Sequence, residues 1–362
     1  MMEFLKEIFK KLGGLNAKMI HIAGSKGKGT TAFLTAEALN AAGFKVGLFT
    51  SPAIFCYEEM IRVNMEEISS EALIELIEKV RVACEGREIS KFEEITLAAY
   101  LYFNEENCDY VVVETGIGGR LDSTNIVDNK VLTILTHVEL EHQEILGDSL
   151  DKITREKLGI CRPGVPLLTP ANQHLNVMEE IEECGLTAVL TSSFELGNHH
   201  PEACGLAFFA LDLLGIKVDA KIMERMKNLL IPGHFEIKKF GIHTLLLDGA
   251  HTFDSIQSLH EKVLHHAQSE GLPSPTWVFH ILKDKPRELL KLFLNKRSIW
   301  MKIENERAGE TPENFTHANA KEILENLKNE SIPQFMVFTG SFRVVADIKM
   351  ELGEKPSHGL FV

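Results

Sequence analysis

The sequence predicts an α/β protein of two domains, each built on a mostly parallel sheet. Apolar runs rich in β-branched residues alternate with longer segments of helical period, the pattern that places helices on the faces of a sheet. The alternation is present twice, before and after a stretch carrying Pro and Gly, LIPGHFE at 230 to 236. A chain of 362 residues also exceeds what a single hydrophobic core usually fills.

In the first block the strands are expected at 19 to 23, 45 to 50, 110 to 114, 130 to 136 and 165 to 169, with helices over 29 to 42, 71 to 84 and 93 to 106. In the second, strands are expected within 243 to 250, 276 to 282, 297 to 303 and 334 to 340, separated by helices beginning near Asp254, Lys285 and Glu313. The PGHFE stretch is the expected hinge, which gives domains 1–234 and 235–362. The polar run at 305 to 314 is expected to be a surface loop.

Bulk composition excludes several classes. Lys and Arg number 38 against 52 Asp and Glu, a net charge of −14 that disfavours nonspecific binding to nucleic acid or to an anionic membrane. A polyanionic substrate therefore needs a local basic pocket. The 6 cysteines are widely spaced with no CxxC pair, so they are expected to be free, mostly buried thiols rather than zinc ligands or disulfides. The amino terminus lacks the apolar core and cleavage site of a secretory signal, and no window approaches the roughly 20 apolar residues that span a bilayer. The expected location is the cytoplasm.

The strongest local signal is AGSKGKGTT at 23 to 31, which follows an apolar strand and opens a helix, as a phosphate loop must. Across Gly24, Ser25, Lys26, Gly27, Lys28, Gly29 and Thr30, the small residues let backbone N–H groups turn toward phosphate oxygens, aided by the positive end of the helix. Lys28 is then placed for the β- and γ-phosphates, and the Thr30 hydroxyl for Mg²⁺. A second constellation, ETGIGGRLDSTN at 114 to 125, leaves the end of a strand, where open α/β sheets bind ligands, and puts Glu114 in place to ligate a hard cation. Taken alone, the rest of that segment reads as a polar loop. His142 lies among Glu139, Glu141 and Glu144, and Lys157 sits on a helical segment, DKITREKLGI. Each is unremarkable by itself.

Their order and spacing resemble the folylpolyglutamate synthase and dihydrofolate synthase branch of the Mur ligase superfamily. The family's phosphate loop GTNGKGS is similar to GSKGKGT here, its TSP segment to Thr50, Ser51 and Pro52, and its EVGLGGRLDATN block to ETGIGGRLDSTN. Its DHxxxLG, EKAGI and DGAHNP are matched by EHQEILG, EKLGI and DGAHTF; TGSF at 339 to 342 and KDKP at 283 to 286 are similar to its TGS motif and DK pair. The resemblance implies a Mur-ligase-like P-loop domain followed by a smaller Rossmann-like α/β domain. It implies that ATP transfers its γ-phosphoryl group to a folate or pteroate carboxylate and that L-glutamate attacks the acyl phosphate. By the same resemblance Ser51, Glu114 and His142 hold Mg²⁺, and Lys157 is a carbamylated lysine at the metal site. Asp248 and His251 reach the nucleotide when the domains close, and a monomer is expected. Lys28, Glu114, His142 and Lys157 are then the residues expected to carry the chemistry.

Several positions depart from the family pattern. Its PGRFE is PGHFE here, so His234 stands where an arginine is expected at the ATP phosphates; Ala203 replaces an asparagine near the adenine. Lys26, Glu141 and Thr252 replace Asn, Asp and Asn. These departures motivate one alternative, a nucleotide-binding regulatory homologue with impaired turnover. An ATPase that drives a partner is a second, but it has no need of Lys157 or of a second α/β domain.

Overall fold

The computed structural model describes residues 1–283, 285–304 and 307–354. They form two compact units, the first Met1–Leu229 and the second opening at Leu230.

The first unit contains α1 (Met2–Lys11), β1 (Lys18–Ala23), α2 (Lys28–Ala41), β2 (Val46–Phe49), β3 (Ile61–Val63), β4 (Glu66–Glu67), α3 (Ser70–Ala83) and α4 (Lys91–Glu105). These are followed by β5 (Tyr110–Glu114), β6 (Lys130–Leu135), α5 (Gln143–Leu146), α6 (Leu150–Leu158), β7 (Leu167–Pro170), α7 (Leu175–Glu183), β8 (Ala188–Thr191), α8 (Pro201–Leu213) and α9 (Ala220–Asn228). The sheet runs β4-β3-β2-β5-β1-β6-β7-β8 and is parallel except where β3 and β4 turn back on β2. The central strands are buried on both faces, which is why YVVV and MIHIA are continuous apolar runs rather than alternating ones.

Register places the site. Ile22 of β1 lies opposite Glu114 of β5, Ala23 opposite Leu135 of β6, and Phe49 of β2 opposite Val113. The loops leaving β2, β5, β1 and β6 therefore emerge side by side from one carboxyl edge. Helix α2 is buried almost all round, packing Leu34, Ala38 and Ala41 against Ala203, Ala207 and Leu211 of α8 and Ile222 and Met226 of α9. That burial fixes the amino end of α2 beneath the same edge.

The second unit contains β9 (Glu236–Phe240), β10 (His243–Leu247), α10 (Phe253–Ser269), β11 (Thr276–Phe279), β12 (Ser298–Met301), β13 (Thr316–Ala318), α11 (Ala320–Asn329), β14 (Phe335–Thr339) and α12 (Phe342–Glu351). Its sheet order is β13-β12-β11-β14-β10-β9, parallel except for the β9–β10 hairpin. The PGHFE stretch is anchored in this unit. Gly233 N–H donates to Glu236 Oε2 (2.9 Å), Gly233 O accepts from Gly249 N–H (2.8 Å), and Glu236 is paired with Lys349 (3.0 Å).

Two expected helices differ. The segment near Lys285 forms only a short 3₁₀ helix, Arg287–Leu292, entered through Pro286, while Asp284 of the KDKP motif lies outside the described residues. Glu313 sits in a turn. The following residues Thr316–Ala318 extend to pair with β12, and the helix starts only at Ala320, where Asn319 and Glu322 form a reciprocal capping box. Of the polar run at 305 to 314, residues 307 to 314 form neither helix nor strand; Asn305 and Glu306 lie outside the described residues.

His280 closes the end of β11. Its Nδ1 donates to Met301 O (2.8 Å) and its Nε2 accepts from Gly309 N–H (2.9 Å), which fixes the neutral tautomer. Burial holds its pKa below the ordinary 6.5, as it does for His266 and for His260, which falls to about 4. The unfolded chain therefore binds more protons than the folded one just below 6.5. The stability these groups contribute is complete above that pH and is lost as pH falls through their folded values. The urea midpoint is expected to be lower at pH 5.5 than at pH 7.5, and His280→Asn to narrow that difference.

Candidate active site

The phosphate-loop candidate is shaped by two glycines and by its neighbour strand. Gly24 has φ 145°, and a Cβ there would stand 1.9 Å from Thr136 Oγ1; Gly27, at φ 82°, caps the amino end of α2 in the left-handed region. Between them the chain is pinned to the segment after β6. Ser25 N–H and Lys26 N–H both donate to His137 O (2.8 and 3.2 Å), Glu139 N–H donates to Ser25 Oγ (3.0 Å), and the Lys26 ammonium pairs with Glu139 (2.6 Å). Lys28, Gly29 and Thr30 form the first turn of α2, each half-buried. No acidic residue occupies that turn, so its positive end is left open to an anion.

Glu114 ends β5 beside this turn. It is buried, accepts Ser51 N–H at 3.1 Å, and its Oε2 stands 3.4 Å from where a Cβ on Gly29 would be. It forms no ion pair among the described residues. Burial pushes its carboxyl up to about 7, against the opposing pull of the Lys28 charge. Ser51 precedes a cis peptide to Pro52 at the start of the loop that follows β2.

Lys157 lies on the last turn of α6 with only 1% of its side chain exposed, and its Nζ donates to Gly24 O (2.8 Å) and Glu141 Oε1 (2.7 Å). Burial lowers its pKa to about 8, with Glu141 opposing. Burial raises the Glu141 carboxyl, but Lys157 and Lys28 together hold it below its ordinary value. Lys28 acts electrostatically on Glu114, Glu141 and Lys157 alike, so these four groups share one neighbourhood.

The GIGGRLDSTN segment braces this arrangement. Asp122, buried, accepts from Gly116 N–H, Ile117 N–H and Thr124 N–H at 3.0 Å each, holding the turn after Glu114. Asn125 Nδ2 donates to Arg120 O (3.1 Å) and Gly159 O (3.0 Å), while Arg120 pairs with Glu156 at 2.8 Å. A Cβ on Gly119 would come within 2.7 Å of Lys157 O, and one on Gly159 within 2.5 Å of Arg120 Cα. The loop after β5 and the end of α6 thus meet backbone to backbone. This bracing, and the partnership of Glu141 with Lys157, escaped sequence reasoning; its one readable trace is small residues in both segments, GIGG and EKLGI.

His142 is not drawn into the group. It is exposed, adopts φ 45° at the start of the short α5, and its ring makes no hydrogen bond or ion pair among the described residues. Ala203 is buried in the α2–α8 packing. In the second unit, Asp248 accepts from Phe235 N–H (2.8 Å) and Ala250 N–H (2.8 Å), His251 Nδ1 donates to Gly249 O (2.8 Å), and exposed His234 donates to Pro232 O (3.0 Å). No three His, Cys, Asp or Glu side chains converge as a ready metal site among the described residues.

No family model matches the chain. It is 30% identical over 329 residues to a dihydrofolate synthase/folylpolyglutamate synthase of Bacillus subtilis (strain 168), spanning 78% of this chain and 75% of that protein. The protein of the same description from Buchnera aphidicola subsp. Schizaphis graminum is 31% identical over 308 residues, 78% of this chain and 72% of that one. Among solved structures, the bifunctional folylpolyglutamate synthase/dihydrofolate synthase of Yersinia pestis CO92 superposes with TM-score 0.85 at 23% identity, over 97% of this chain and 93% of that one. A folylpolyglutamate synthase of Thermotoga maritima gives 0.81 at 24%, over 97% and 93%. The fold is theirs, and with relatives at 30% identity over three quarters of both lengths, the chain belongs to the dihydrofolate synthase/folylpolyglutamate synthase family.

Proposed function

We propose that this chain is an ATP-dependent ligase that joins the amino group of L-glutamate to a folate or pteroate carboxylate through an acyl phosphate. Its relatives are named as synthases of that kind, and one solved neighbour holds Mn, AMPPNP and L-glutamate. The observation that carries the reading is the meeting of the open amino end of α2 with Glu114 and Lys157 at one sheet edge. An anion is favoured at the helix end, where N–H groups point outward and Lys28 adds charge.

Mg²⁺ fits this donor set on one observation: Glu114 is a buried carboxylate with a single hydrogen bond and no cation bonded to it. Thr30, Ser51 and Glu114 offer the oxygens a hard cation takes, and they would hold it, with His142 the remaining member of the proposed set. Bound there, the metal would offset negative charge on both the triphosphate and the carboxylate to be activated. Lys28 and the backbone of residues 24 to 30 hold phosphate oxygens. Lys157, tied to Gly24 O, sets the loop's height against α6. As an ammonium it donates to both Gly24 O and Glu141; with its pKa lowered to about 8, the neutral amine from which a carbamate forms is within reach near neutral pH, in keeping with the proposed carbamylation. In the second unit, His234, Asp248 and His251 are proposed to serve the nucleotide; Asp248 does so by holding its loop. No observation favours a regulatory reading.

ADP release is the test. A ligase requires both acceptor and L-glutamate, an ATPase requires neither, and a regulatory binder releases none; release independent of glutamate would sink the proposal.

A further inference from the structure

The loop between β2 and β3 is closed at its base by Thr50 N–H donating to Met60 O (3.1 Å). Residues 51 to 56 within it form neither helix nor strand, yet they hold a defined course. What holds them is one side chain. Glu59 reaches back so that its Oε2 accepts from Ile54 N–H (2.6 Å) and its Oε1 from Phe55 N–H (2.9 Å) and Cys56 N–H (3.4 Å). Three successive amides converging on one carboxylate make an anion nest filled from within the chain. Glu59 forms no ion pair among the described residues; its hydrogen-bond partners are these three amides and the Cys56 thiol, whose Sγ lies 3.9 Å from Oε1. The other end of the same stretch is tied by Ser51 N–H to Glu114.

We infer that Glu59 is a positioning residue for the reaction: by filling the nest of residues 54 to 56 it fixes the loop that sets Ser51 against Glu114. It touches no reacting group and acts through the backbone. The inference rests on the ligase reading, since it gives Glu59 a part in presenting the Ser51–Glu114 pair. Glu59 lies outside the apolar core formed by Met60, Ile61 and their neighbours, so its removal is expected to spare the bulk of the fold.

Glu59→Ala is expected to raise the Mg²⁺ concentration for half-maximal activity, and for half-maximal binding of an ATP analogue, by about tenfold, with KM for L-glutamate moving less. Added formate, small enough to enter the emptied nest, is expected to restore part of the loss in this variant and none in the wild type. Glu59→Gln, which keeps one acceptor oxygen, is expected to fall between the two and supplies the reading if the alanine variant does not fold. Wild-type Mg²⁺ dependence in a folded variant, or a loss that follows only the unfolded fraction and ignores formate, overturns the inference. Failure of the wild type to show glutamate-dependent ADP release overturns the ligase reading instead, and the Mg²⁺-dependent binding of the analogue still judges Glu59.

Discussion

Lys157→Ala is expected to slow glutamate addition by about 10²- to 10³-fold, the loss typical when one preorganised charge or donor is removed from a desolvated site. The reason lies in what the ammonium holds. Its two bonds, to Gly24 O and Glu141, join the phosphate loop to α6, and its side chain is 1% exposed, so both contacts are made away from solvent. Deleting it leaves the Glu141 carboxylate, 27% exposed, beside open space with its partner gone. The accompanying loss of stability is expected to be about 3 kcal/mol, at the low end for breaking a buried pair because Glu141 keeps some contact with water. Turnover under saturating ATP and a urea midpoint on the same sample separate the two effects. A variant that turns over at the wild-type rate would remove Lys157 from the mechanism.

Glu114→Gln is expected to weaken Mg²⁺ binding by at least about tenfold, with turnover falling in step. The amide keeps the acceptor for Ser51 N–H but not the charge, so the change tests electrostatics rather than shape. The wild-type carboxyl, lifted to about 7 by burial, holds its proton below that pH in the metal-free protein. Mg²⁺ then competes with the proton: apparent affinity rises as pH climbs through 7, and binding releases a proton near neutrality. Calorimetry in buffers of different ionisation enthalpy reads that proton directly. The glutamine variant should show neither the release nor the slope; an unchanged slope would place the titrating group elsewhere.

The parts of this molecule that depend on a single local pattern were legible in the residues. β5 matched its expected limits, and α2 began within a residue of its own, because a continuous apolar run and a glycine-rich helix start are local signals. The helix expected near Lys285 was cut to a 3₁₀ turn entered through Pro286, whereas the one expected near Glu313 failed for a nonlocal reason: Thr316–Ala318 becomes a strand only because the edge of β12 is there to pair with it. The site divides in the same way. Gly24, Lys28 and Glu114 were visible from their positions at strand ends. Glu59 was not, because a carboxylate that folds back on three amides has the same letter as one in solvent. His142 was readable only through a family motif, and its own contacts do not join it to Glu114.

The mating of Gly119 with the backbone at Lys157, and of Gly159 with that at Arg120, leaves neighbouring side chains free to vary. Two main chains in direct contact fix the height of Lys157 without relying on the side chains around them. Ile117 and Leu121, 43% and 62% exposed on that same loop, are therefore released from any duty to the scaffold. Side chains at these two positions can change while the backbone frame stays put.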